Sequence, residues 1–145
     1  MWYDFCKDIQ NIPVIVRTLI KTSLLCLILA LCVGVLLAWP GGSPVPGLFP
    51  VYVHTLAFGW LTQLIFGVAL WMFPKYSSKL PRGPLWLGWA AYALLNSGLL
   101  LRIIFEPLQS AQAPTLGGWM LVIAALLQWL AGATFAALAW TRVKE

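Results

Sequence analysis

The stretch His54–Pro74, HTLAFGWLTQLIFGVALWMFP, decides how the rest of the chain is read. Its length matches one bilayer crossing, for which about 20 apolar residues suffice. It holds the protein's one histidine in its first turn. Two glycines, Gly59 and Gly67, and one amide, Gln63, interrupt otherwise apolar or aromatic residues. On an ideal α-helix Phe58, Leu61, Ile65 and Ala69 share the His54 face. Gly59, Gln63 and Gly67 fall on another, a small-residue groove suited to close helix contact.

Outward from this stretch the chain stays apolar. Of 145 residues, 61% are hydrophobic and only 9% charged, with a mean hydropathy of +0.88. A soluble domain of this size has too little interior to hide that much apolar surface, so the lipid bilayer is part of its solvent. The net charge of +5 sits between apolar runs, where it sets orientation and argues for no nucleic-acid partner. Cys26 and Cys32 lie inside an apolar run and read as small hydrophobes. Three cysteines without a C-x-x-C pair, and one histidine, argue against a zinc or iron–sulfur site within one protomer and against a disulfide framework.

Four spans follow from the apolar runs: approximately 13–39, 50–73, 84–105 and 115–140. Met1–Ile12 precedes the first as a mixed segment without the features of a cleaved signal, so it reads as retained. An uncharged loop, Pro40–Gly47, separates the first two spans. Asn96 and Ser97 are the polar residues inside the third span, with Arg102 in its last turns and Glu106-Pro107 after it. No carboxylate then falls inside a span. The fourth is rich in alanine and glycine, which let helix backbones approach where lipid supplies no hydrophobic drive. Lys7, Arg17, Lys21, Lys75, Lys79, Arg82, Arg142 and Lys144 share one side of a four-span topology, and Arg102 lies on the other. The positive-inside rule places both termini in the cytoplasm, and His54 and Arg102 near the opposite face. The fold expected is therefore all-α: a single-domain integral membrane four-helix bundle.

Histidine at a membrane edge either hydrogen-bonds a loop carbonyl or ligates a metal through a neutral ring nitrogen. Heme iron takes one protein imidazole, or one on each face. Iron on His54 would be five-coordinate, completed by a methionine, or shared between two copies of the chain. Met72 follows His54 by eighteen residues, roughly 27 Å along a helix, too far for the same iron. Met120, early in the fourth span, has a compatible depth; its alternative role is filling a packing gap. The apolar face begun by Phe58 either lies against a porphyrin or packs on a helix. Arg102 either snorkels or pairs with Glu106 at i, i+4, or it clamps a carboxylate such as a heme propionate.

His54, Gly59, Trp60 and the run Gly67-Val68-x-x-x-Met72-Phe73-Pro74 resemble helix II of the catalytic subunit of heme-copper oxidases and nitric oxide reductases, and of related membrane proteins linked to nitric oxide response. The resemblance covers the second span and, loosely, the first. In that family the helix II histidine is an axial ligand of the low-spin heme, on a helix running inward from the outer side. The resemblance implies that His54 ligates heme b. It does not extend to copper or oxygen reduction, because the further histidines of those enzymes have no counterpart here.

The function expected is a b-type heme protein of a bacterial inner membrane, with His54 as axial ligand and Phe58, Arg102 and Met120 as candidate cofactor contacts. It would transfer electrons or bind a small gas such as nitric oxide or oxygen, as a homo-oligomer, a dimer or trimer. The alternative is a cofactor-free accessory subunit of a larger respiratory complex. A small four-span transporter is third, because such transporters use an embedded carboxylate for proton coupling. No catalytic residue set is visible.

Overall fold

The computed structural model describes residues 12–41, 45–73, 84–111 and 116–140, and Arg142. Four helices run through it: α1 (Val14–Leu37), α2 (Leu48–Met72), α3 (Leu85–Ala111) and α4 (Leu116–Trp140). Each is long and apolar enough to cross a membrane, and no strand occurs among the described residues. The basic residues expected at Lys7, Lys75, Lys79, Arg82 and Lys144 lie outside them.

Neighbours in sequence pack most extensively: α1 on α2, and α3 on α4. The two hairpins join where α2 meets α3. His54 meets Glu106 and Gln63 meets Asn96, and a Cβ added at Gly59 would lie 2.9 Å from Leu99, which is the register of antiparallel neighbours. The termini of α2 and α4 coincide at the opposite end, where Arg142 donates to the carbonyls of Leu70 and Phe73. These are open acceptors at a helix C-terminus, and a cation suits the negative end of the helix dipole. The guanidinium also lies 5.8 Å from the centroid of Phe73.

Two features depart from the expected helices. The third continues through Glu106 and Pro107 to Ala111 rather than ending near Phe105. Proline disfavours helical backbone at the residue before it, which is why the sequence reads as a stop there. Secondly, α2 is not α-helical throughout. Thr55–Thr62 forms a π-helix between Leu48–His54 and Gln63–Met72. The hydroxyl of Thr62 reflects this by donating to the carbonyl of Ala57 at i−5, 2.8 Å away.

The π segment changes which side chains share a face. On an α-helix, nine steps of about 100° would put Gln63 opposite His54. At about 4.4 residues per turn, the winding of i→i+5 bonding, the two come within roughly 20° of each other. Both accordingly face α3. Leu61 and Ile65, expected on the His54 face, are exposed instead. Phe58 stays with the histidine.

The interior is divided lengthwise. Towards the Phe73 end it is apolar: Ile15, Val16 and Leu19 of α1, Phe66 and Leu70 of α2, Ala91 and Leu95 of α3, and Ala131, Phe135 and Leu138 of α4. The Phe66 and Phe135 rings stack across it at 3.8 Å. Towards the His54 end buried polar groups, Thr55, Glu106 and Gln128, sit among the apolar Ala30, Val33, Val51, Leu99 and Ala124. Outside, large apolar side chains stand exposed, among them Leu25, Ile28 and Val35 on α1 and Val122, Leu126 and Trp129 on α4.

Small residues set the closest helix approaches. Gly59 and Gly67 meet α1 closely, at Cys26 and at Leu19–Ile20, whereas Gln63, expected on the same face, turns to α3. The tightest contact between α3 and α4 is at Gly98, where an added Cβ would lie 2.8 Å from the backbone oxygen of Ala124. Gly98→Ala is expected to cost about 1–3 kcal/mol by overpacking against a backbone that has no rotamer to yield. Gly132 has no atom within 4 Å of an added Cβ, so Gly132→Ala should be neutral or gain up to about 1 kcal/mol of helix propensity. Thermal unfolding of both variants in detergent checks the contrast; equal stability would contradict the close contact at Gly98.

Candidate polar site inside the bundle

Four side chains from three helices meet at the His54 end. His54 ends the first α-helical part of α2, at the edge of the π segment. Its Nδ1 lies 2.8 Å from the carbonyl oxygen of Pro50 and 2.9 Å from Oε1 of Glu106. Glu106 Oε1 also accepts from Nη1 of Arg102 at 3.0 Å, and Arg102 Nε donates to Oε1 of Gln128 at 3.0 Å. Glu106 and Gln128 are each 5% exposed, Arg102 17% and His54 24%.

This geometry fixes the histidine tautomer. A backbone carbonyl can only accept, so Nδ1 carries the ring proton. In the neutral ring Nε2 then holds the lone pair and is the nitrogen available to a metal. A carboxylate or carbonyl on one ring nitrogen is the usual support for metal ligation through the other. The Phe58 ring lies nearly parallel to the imidazole, 14° apart with centroids at 6.0 Å, which holds the ring plane. The donor set thus offers one neutral imidazole nitrogen, Nε2, for a single bond to a ligand. Among the described residues no three His, Cys, Asp or Glu side chains gather to hold a metal ion by themselves.

The other expected contacts are placed differently. Arg102 makes the i, i+4 pair with Glu106, which commits Nη1, while Nε serves Gln128. Its geometry is that of a counter-ion for a buried carboxylate. Met120 is half-buried on α4, whose bond to the cluster comes from Gln128.

Gln128 is the member that sequence reasoning does not find, and Glu106, named there as an i, i+4 partner of Arg102, lies inside the helix rather than after it. Pro107 marks a helix end in the sequence, which sets Glu106 just beyond the span, and Gln128 is one amide in a span that stands out for its small residues. A polar residue deep inside an apolar span was the signal for Gln128. A second polar contact lies deeper: Gln63 Nε2 donates to Asn96 Oδ1 at 3.0 Å, and Asn96 Nδ2 to the Tyr92 carbonyl at 2.9 Å.

No family model matches the chain, and neither a curated protein nor a solved structure shows significant similarity to it. The site is therefore read from its own chemistry.

Removing one partner of a buried ion pair leaves the other's desolvation uncompensated. Arg102→Leu is expected to destabilise the bundle by about 3–5 kcal/mol, and the double variant Arg102→Leu/Glu106→Leu to recover most of that loss. A double-mutant cycle of unfolding in detergent measures both. A single-variant cost below about 1 kcal/mol would class the pair with surface ion pairs.

Proposed function

We propose that this chain is a four-span protein of a bacterial inner membrane, with both termini cytoplasmic, that binds heme b through Nε2 of His54. The observation that carries the reading is the double anchoring of His54 Nδ1 by Glu106 and the Pro50 carbonyl. It directs the remaining lone pair of the chain's one imidazole away from the interior network. Bound there, heme supplies a one-electron couple or an iron that takes a small gas.

The protein's own residues do the rest. Glu106 orients the imidazole and leaves Nε2 as its free nitrogen. Arg102 neutralises Glu106, and Gln128 holds Arg102. His54 is 24% exposed, so a planar cofactor on it would lie at the bundle surface. That position favours a homo-oligomer in which two copies share one heme, a His54 on each side. The exposed apolar side chains and the four long apolar helices support the bilayer as solvent.

Glu106 favours a second reading, a small proton-coupled transporter, because α3 does carry a buried carboxylate. Transport in proteoliposomes that Glu106→Gln abolishes, by protein with no heme absorbance, would select it.

The deciding experiment is a visible spectrum of detergent-purified protein made with ample heme, oxidised, then reduced, then exposed to carbon monoxide. A Soret band, sharp reduced α and β bands unmoved by carbon monoxide, and one heme per two chains are expected. His54→Ala should abolish binding while leaving the bundle folded. Glu106→Ala should weaken it about 10–100-fold, the usual cost of losing a hydrogen-bonding partner of a metal ligand. No Soret band, or unchanged heme content in His54→Ala, rules the assignment out.

A further inference from the structure

Hydroxyls inside these helices normally satisfy themselves. Thr18, Thr22, Ser23, Thr62, Ser97 and Thr134 each donate to a carbonyl of their own helix. Thr55 does not. It is fully buried beside His54 at the start of the π segment, and its Oγ1 has no hydrogen-bond partner among the described residues.

Two amides share this condition. Arg102 Nε can only donate, which fixes Gln128 Oε1 towards it and leaves Nε2 without a partner. Gln63 gives its Nε2 to Asn96, and its fully buried Oε1 has none. Leaving such a group dry costs about 1–3 kcal/mol each. Buried water typically resolves this by bridging groups that the protein leaves unpaired.

The three atoms are ordered along the bundle. Thr55 is next to the partly exposed His54. Gln128 packs at Gly98, one residue from Leu99, which faces Gly59. Gln63 lies nine residues from His54, near the middle of α2. The polar column stops there, because Phe66 and Phe135 stack immediately below it.

We propose that the His54 half of the bundle encloses a hydrated half-channel, with water bound to Thr55 Oγ1, Gln128 Nε2 and Gln63 Oε1, open at His54 and closed at mid-bundle by the Phe66–Phe135 stack. The π segment builds it by turning Gln63 onto the same side as His54. The channel brings water from one face of the membrane to the middle of the protein and no further. It does not depend on whether His54 binds iron, although it does rest on the bundle lying in a bilayer.

Water-edited solid-state NMR of protein in lipid bilayers, with the glutamine side-chain amides labelled with nitrogen-15, tests it. Gln63→Leu and Gln128→Leu assign the two signals. Both amides should receive magnetisation from water at mixing times where the Leu95 and Phe66 core receives none. Thr55→Val, which keeps the shape and removes the hydroxyl, should cause loss of that transfer at Gln63, and Thr55→Ser should restore it. Transfer as slow as in the core at either amide overturns the proposal, as does transfer unaffected by Thr55→Val. Magnetisation from lipid acyl chains to Leu25 and Val35 reports insertion separately, so a failed membrane reading is distinguishable from a dry bundle.

Discussion

A carboxylate held inside an apolar bundle is the constraint around which this structure is arranged. Glu106 is almost fully enclosed, and an ionised group in that position needs a counter-charge and hydrogen bonds to offset its lost hydration. Arg102, one turn earlier on α3, supplies the charge. Gln128 on α4 holds Arg102, and His54 on α2 closes the other side. Three helices are tied by one network. It is directional where the surrounding packing is not, and it selects one rotation of α2 against α3.

The division of the interior follows from the same constraint. Polar groups buried in an apolar medium are cheapest when they gather, since each can then satisfy another. His54, Glu106, Arg102 and Gln128 gather at one end, Gln63 and Asn96 lie midway, and the remainder is closed by aromatic and aliphatic packing around Phe66 and Phe135. Arg142 shows the same economy at the far end, where its burial is matched by open carbonyls at the end of α2. The functional proposals stand on this division: an oriented imidazole at the mouth of a polar half, and an apolar half that seals it.

Much of the architecture was legible in the sequence. Unbroken apolar runs admit few structures besides membrane-length helices, so four of them, with nearly the observed starts, could be read from composition alone. Gly59 and Gly67 were legible as close-contact positions, and the Arg102–Glu106 pair as one of the open alternatives, because i, i+4 neighbours on a helix meet whatever surrounds them. His54 was conspicuous as the chain's one imidazole. The site around it was less legible. Gln128 has no sequence relation to Arg102, since 26 positions separate them, and Pro107 concealed Glu106 by marking a helix end that the fold overrides.

Sequence by itself determined the helices, their number and their apolar surfaces, because hydrophobic length is a local property that each segment carries with it. The tertiary structure decided which side chains face one another. The π winding of Thr55–Thr62 is the plainest case: nothing in TLAFGWLT separates π from α geometry. The difference of roughly 18° per residue, accumulated over two turns, moves Gln63 from the far side of α2 to the side of His54. Local periodicity assumes a constant pitch, and only the contacts with α1 and α3 set the pitch that this helix adopts.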